Sequence, residues 1–282
     1  ITIVLNDLAR NPGQEEDYTI EVADDLSNNQ NVFSTQASLS VGEGPIEVDS
    51  SPAGNTIFFN TFDQAITNAS AQDTVTITED LDETGPQTVT PSVGADNVII
   101  QGQDKEEIQL VNDGIDLSGA ENTTIQNLTF DGQDNGVIFV KDGGSATNTT
   151  IANNEFLNTT GAAAVELNPG GSAGDVITTS VTGNDFTQDI DANAIDIDLG
   201  STNVDDVVEV KDNTVTGLTG SNNAVELTGS ASDASIVDIS SLSVEGDGNG
   251  AGLQLTGNNL DTVSSIDVDG FDVNNTASGI TS

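Results

Sequence analysis

From about residue 75 to the end of the chain, apolar and polar residues alternate in short runs broken by Asn, Asp, Gly and Ser. Alternation of period two is the signature of a strand with one buried face. A longer period lies on top of it. Phe130, Phe156, Phe186, Val215, Val244 and Phe271 follow one another at intervals of about 26–30 residues. Five positions before each stand Ile125, Ile151, Val181, Val210, Ile239 and Ile266, all β-branched. Nine or ten positions after each stand Phe139, Val165, Ile195, Val225, Leu253 and Ile280, again all apolar. "NVII" at 97–100 and "GIDL" at 114–117 extend the pattern backward. Self-similarity at such a period predicts a solenoid. Each coil would hold three short strands whose inward side chains stack on those of the next rung, about 4.8 Å away. No coil can bury its inner face alone, so stability must come from neighbouring coils.

Upstream, the period changes. Phe62, Ala65, Ile66 and Ala69 sit at helical spacing behind Thr61, a suitable N-cap. A short helix is expected at about 61–70, with coils from about 75. Residues 1–46 read as strands in "ITIVLNDL", "YTIEVAD" and "NVFSTQASLSV", too few to close a sandwich. "GEGPIEVDSSPAGN" at 42–55 reads as a linker or a crossing strand. The expected division is a β-rich segment at 1–46, a linker at 47–58 and coils at 59–282.

Three neighbouring segments resemble a known family. "FDQAI" at 62–66, "DTVTI" at 73–77 and "VIIQG" at 98–102 are similar to the entrance of a right-handed parallel β-helix of the pectate-lyase-like superfamily. The resemblance implies an all-β solenoid whose first coil is covered by the helix. Residues 1–46 also resemble the closing strands of immunoglobulin-like repeats in archaeal surface-layer proteins, which implies a haloarchaeal cell-surface setting. Within the coils, Asn154, Asn184 and Asn213 stand two residues before the aligned Phe or Val. In the β-helix family Asn at such a corner stacks on the next Asn and trades amide hydrogen bonds. It also tolerates left-handed backbone. Leu128, Leu242 and Asp269 take that place in other coils.

Composition narrows the core and the partners. Hydrophobic residues make up 34 % and aromatic residues 4 %, so thin layers of Val, Ile, Leu and Ala must do the packing. The 47 acidic residues face only Arg10, Lys105, Lys141 and Lys211, for a net charge of −43. The acids are spread along the whole chain. Such self-repulsion opposes compaction unless concentrated salt shortens the screening length to about 3 Å. A halophile's solvated surface is the expected meaning. Nucleic acid is excluded as a partner, because phosphate binding needs Lys and Arg. Without Cys or His the chain has no disulfide and no usual transition-metal ligand. No apolar run is long enough to span a membrane. The chain opens at Ile1 without a signal-like stretch, which suggests a processed product or a portion of something longer.

Relatives of the β-helix family include lyases, hydrolases, esterases and epimerases, so the residues present must be weighed for catalysis. A lyase would need a basic residue beside an acidic sugar. Lys141 follows a third-strand segment and Lys211 a first-strand one, which puts them on different edges. A hydrolase would use paired carboxylates, here Asp189, Asp191, Asp196 and Asp198. Alternation turns Asp196 and Asp198 outward between Ile195, Ile197 and Leu199, and no Trp accompanies them. No catalytic residue and no cofactor are therefore assigned. Asp189, Asp191, Asp196, Asp198, Asp205 and Asp206 offer hard oxygens suited to Ca²⁺, which stays a rival reading of the acidic run.

Six Asn-x-Ser/Thr sequons occur. Asn68, Asn122, Asn148, Asn158 and Asn274 are glycosylation candidates, and Asn127, in a tight turn, is the weakest. The expected role is an extracellular structural or adhesive building block of a halophilic archaeal filament, sheath or surface layer. Head-to-tail self-association is expected of it, because both ends look unsatisfied. The alternatives are a carbohydrate-active or carbohydrate-binding β-helix protein (a glycoside hydrolase or an adhesin) and a viral tail fibre or spike.

Overall fold

The computed structural model describes residues 19–22, 33–36, 44–50, 55–83, 96–110, 115–117, 120–132, 140–141, 148–161, 163–167, 176–199, 205–229, 236–256, 265–274, 276 and 278–281. Three long sheets dominate them, and from the second coil on each sheet collects one strand per coil. The first sheet runs through Thr74–Ile77, Ile99–Gly102, Thr124–Gln126, Thr150–Ala152, Val176–Thr182, Asp205–Lys211, Ile236–Ser240 and Ser265–Asp269. All are parallel neighbours. The second sheet begins at Leu81–Glu83 and ends at Asp272–Asn274. The third begins at Ile115–Asp116 and ends at Ser278–Thr281. The fold is an all-β parallel solenoid with one short helix among the described residues.

Alternation explains why these residues form it. In the first sheet Val75, Ile100, Ile125, Ile151, Val181, Val210 and Ile239 lie opposite one another in register, and all are buried. In the second, Ile108, Phe130, Phe156, Phe186, Val215 and Val244 do the same. The rings of Phe130 and Phe156 stack with centroids 5.3 Å apart, and those of Phe156 and Phe186 with centroids 4.9 Å apart. That spacing is close to the rung repeat, so in these three successive coils one aromatic per rung stacks face to face on the second sheet's inner side. The third sheet stacks Ile115, Val140, Val165, Ile195, Val225, Leu253 and Ile280.

Three aligned positions differ from the sequence expectation. Val140, not Phe139, takes the third-sheet place between Ile115 and Val165. In the last coil, Val268 rather than Ile266 lies opposite Ile239, and Val273 rather than Phe271 lies opposite Val244. Ile266 faces Val237 instead. The inner residues of this coil are half-buried, and Ile280 is 53 % exposed.

In the stretch expected as a linker at 47–58, the described residues are strand. Ile46–Ser50 and Asn55–Phe59 form an antiparallel hairpin, and Ile46–Ser50 also pairs antiparallel with Thr74–Ile77. Ile46 and Val48 point into the core. The helix Phe62–Asn68 follows, with Thr61 Oγ1 accepting from the Gln64 N–H at 3.4 Å. Phe62, Ala65 and Ile66 are buried in the same core, and the helix packs with this face against the hairpin strands Ile46–Ser50 and Asn55–Phe59. Thr19–Val22 and Phe33–Gln36 make a separate antiparallel pair. The strand expected from "ITIVLNDL" lies outside the described residues.

Candidate functional site

The corner between the first and second sheets is a two-residue device. Its first residue has positive φ in six consecutive coils: Asn127 at 56°, Asn153 at 57°, Gly183 at 67°, Asp212 at 54°, Ser241 at 53° and Gly270 at 63°. Asn, Asp and Gly are the residues that reach this region at least cost. The left-handed bend therefore sits one residue before the Asn column, not on it. The second residue is Leu128, Asn154, Asn184, Asn213 or Leu242, all buried. With the last coil in its observed register, Phe271 takes this place and Asp269 does not.

The three asparagines satisfy the backbone of the coil before them. Asn184 Nδ2 donates to Ile151 O at 2.9 Å, and its Oδ1 accepts from the Asn154 N–H at 2.9 Å and from Asn154 Nδ2 at 3.2 Å. Asn213 repeats this one coil on, donating to Val181 O at 2.8 Å and accepting from the Asn184 N–H at 2.9 Å and from Asn184 Nδ2 at 3.1 Å. Asn154 donates to Ile125 O at 3.0 Å and accepts from the Leu128 N–H at 3.0 Å. The backbone ladder continues on both sides of the corner, as in Asn153 N–H to Thr182 O and Asp185 N–H to Asn154 O, but skips the corner N–H and the carbonyl three residues before it. The side-chain amides supply the skipped bonds with the same donor–acceptor geometry.

A second, shorter Asn ladder stands where the chain enters the third sheet, and the sequence reading missed it. Asn193 Oδ1 accepts from the Asn223 N–H at 2.8 Å, and Asn223 Oδ1 accepts from the Ala251 N–H at 3.3 Å. The repeated "NAIDI" and "NAVEL" at 193–197 and 223–227 were the available signal. Both amides also serve an acidic side chain. Glu226 Oε2 accepts from Asn193 Nδ2 at 2.7 Å and from Asn223 Nδ2 at 3.3 Å.

Glu226 belongs to an outward column on the third sheet. Register places Asp116, Lys141, Glu166, Asp196, Glu226 and Gln254 in one row, one coil apart. Asp196 is the half-buried middle of its acidic part. Burial, then the charges of Glu226, Glu166 and Asp198, push its carboxyl up from 3.8 to about 6, against a lowering hydrogen bond from Asn193. It is thus more than the freely solvated strand face that alternation alone predicts. Asp198, opposite Thr228, is exposed.

The other acidic candidates are scattered. Asp189 has φ 48° at the corner leaving the second sheet, and Asp191 bridges Thr160 and accepts from Asn222 Nδ2 at 3.1 Å. Asp205 and Asp206 lie in the first sheet opposite Val176 and Ile177, away from Asp196. Among the described residues no three acidic side chains are grouped to hold a metal ion. Lys211, on the first sheet, pairs with Glu209 at 2.9 Å and Asp238 at 3.0 Å. These hydrogen bonds hold its ammonium above the usual range. Lys141 lies on the third sheet.

The sequons also separate. Asn122 and Asn148 are exposed, with φ 55° and 54°, at equivalent corners before the first sheet. Asn68 ends the helix, Asn158 is half-buried after the second-sheet strand Glu155–Leu157, and Asn274 is exposed.

Compared with family models, with curated proteins and with solved structures, the chain matches none. None of these comparisons supports the resemblance to the pectate-lyase-like superfamily; the structure shows the parallel β-solenoid itself. No described helix is long and apolar enough to cross a membrane.

Proposed function

We propose that this chain is a rigid structural module of an extracellular surface assembly, such as a filament, sheath or surface layer, working in concentrated salt. The observation that carries the reading is continuity. Parallel strands pair from rung to rung in all three sheets, with a register shift between Val215 and Leu218 in the second, and buried Phe and Asn columns run along the same axis. Such a stack resists bending and compression, because each rung bears on the next through close-packed side chains and hydrogen bonds. The carboxylate column on the third sheet supports the salt requirement: like charges one rung apart repel unless screened. A haloarchaeal source, a surface location and head-to-tail self-association belong to the same proposal. Electron microscopy of the purified mature protein in molar salt tests it. Polymers or sheets are expected, and discrete monomers at every concentration would refute it.

Asp196 favours a second reading. A carboxyl held near 6 between Glu166 and Glu226 has the protonation a general acid needs. A glycoside hydrolase would turn over neutral glycans and lose that turnover in Asp196→Asn; no release of reducing ends eliminates it.

A further inference from the structure

Each sequon places its amide differently. Asn127 is half-buried, and its Thr129 is turned inside, with the hydroxyl donating to Lys105 O at 3.3 Å. Asn158 Nδ2 donates to Asp131 Oδ1 at 2.7 Å, and Asn68 Nδ2 to Gln64 O at 2.7 Å. Asn274 Nδ2 donates to Asp272 Oδ1 at 3.3 Å. Asn148 is held at both ends: its Nδ2 donates to Asn122 Oδ1 at 2.9 Å, and its Oδ1 accepts from the Thr178 N–H at 3.0 Å. Asn122 is the exception. It is exposed and accepts through Oδ1, and among the described residues its Nδ2 donates to none. Thr123 is buried, so Asn122 and Thr124 keep the amide and the sequon hydroxyl on the solvent side.

We propose that Asn122 is the N-glycan attachment site of this corner column, and that its occupancy excludes Asn148. The co-substrate is a sugar activated on a lipid phosphate, delivered by a separate transferase. Nδ2 attacks the anomeric carbon, a C–N bond forms, the anomeric C–O bond to phosphate breaks, and the lipid phosphate leaves. Nδ2 gives up one proton, and nothing is oxidised or reduced. The product keeps Oδ1, so the bond from Asn148 survives. Asn148 lies one rung on, about 4.8 Å away. A glycan on Asn122 stands over the next corner, and Asn148 Nδ2, already donated to Asn122 Oδ1, would have to give up that bond to react.

The test is peptide mapping of protein purified from the cells that make it, cleaved at acidic residues and located by fragment mass spectrometry. The expected result is one glycan mass at Asn122, with Asn148 bare in the same molecules and the increment lost in Asn122→Gln. An unmodified Asn122, or molecules carrying glycans on both residues, would overturn the proposal. The outcome is independent of whether the protein polymerises.

Discussion

Replacing Asn184 with Leu tests whether the corner ladder holds the coils together. Leu already occupies this place at Leu128 and Leu242, so the column tolerates the shape. The loss is of hydrogen bonds. Without the amide, the Ile151 carbonyl loses its 2.9 Å donor and the Asn154 N–H its 2.9 Å acceptor, at a fully buried position. Each backbone group left unpaired inside costs about 1–3 kcal/mol. The bond to Asn154 Nδ2 goes as well, although that amide keeps Ile125 O. The added apolar burial returns about 1–2 kcal/mol. The net expectation is a destabilisation of about 3 kcal/mol. Urea unfolding followed by circular dichroism, with salt held at a fixed molar concentration, reads this as a lower midpoint at unchanged slope. The pair Asn154→Leu and Asn184→Leu shares one amide–amide bond, so their effects should fail to add. An Asn184→Leu protein within about 0.5 kcal/mol of the parent would show that the ladder is incidental and that aliphatic stacking alone sets the corner.

Asp196→Asn should stabilise the fold at pH 7. The folded carboxyl titrates near 6 against 3.8, so the native state binds more protons between those values. Its contribution therefore favours folding at low pH and is lost as pH rises through about 6. The rise is equivalent to at most about 3 kcal/mol, and solvent screening at a half-exposed site reduces this to about 1. Unfolding measured from pH 4 to 8 should show the gain vanish near pH 4 and shrink in molar salt; a pH-independent gain would contradict it. Thr149→Val should raise stability by about 1 kcal/mol in the same urea assay, because the buried Thr149 hydroxyl has no described partner and its column already holds Val98 and Val208. A loss of stability would mean that the hydroxyl is bonded. Gly250→Ala should cost more than about 2 kcal/mol, since a Cβ there would run into the Asn222 carbonyl oxygen; an unchanged melting temperature would rule out that close approach.

The solenoid was legible because both of its periods are written in β-branched and aromatic side chains, rung after rung. The two misplacements in the last coil have one physical source. A shift of two residues leaves the in–out alternation intact, so Ile266 and Val268, or Phe271 and Val273, satisfy the same pattern. Only pairing with Ile239 and Val244 separates them. The hairpin at 46–59 was hidden because its Gly, Pro and Ser residues signal a turn without saying that the flanks pair. The corner bend was hidden because Asn, Gly, Asp and Ser share a conformation there, not a letter. Asp196 was read as a plain solvated face because its pKa is raised by burial and then by the charges of Glu226 and Glu166, which come from neighbouring coils. Local alternation cannot see them.

The corner column has a further consequence for length. Gly183 precedes Asn184 as Asp212 precedes Asn213, with the same backbone bend and the same bonds to the previous turn. Excising 184–212 would rejoin Gly183 to Asn213 and bring together two cut faces that already match, since Asn184 and Asn213 are 29 positions apart and play one part. The molecule can thus be shortened or extended in whole turns, by steps of about 4.8 Å, without redesigning either neighbour. Reach becomes a quantity that duplication or deletion can adjust while the chemistry of every joint stays the same.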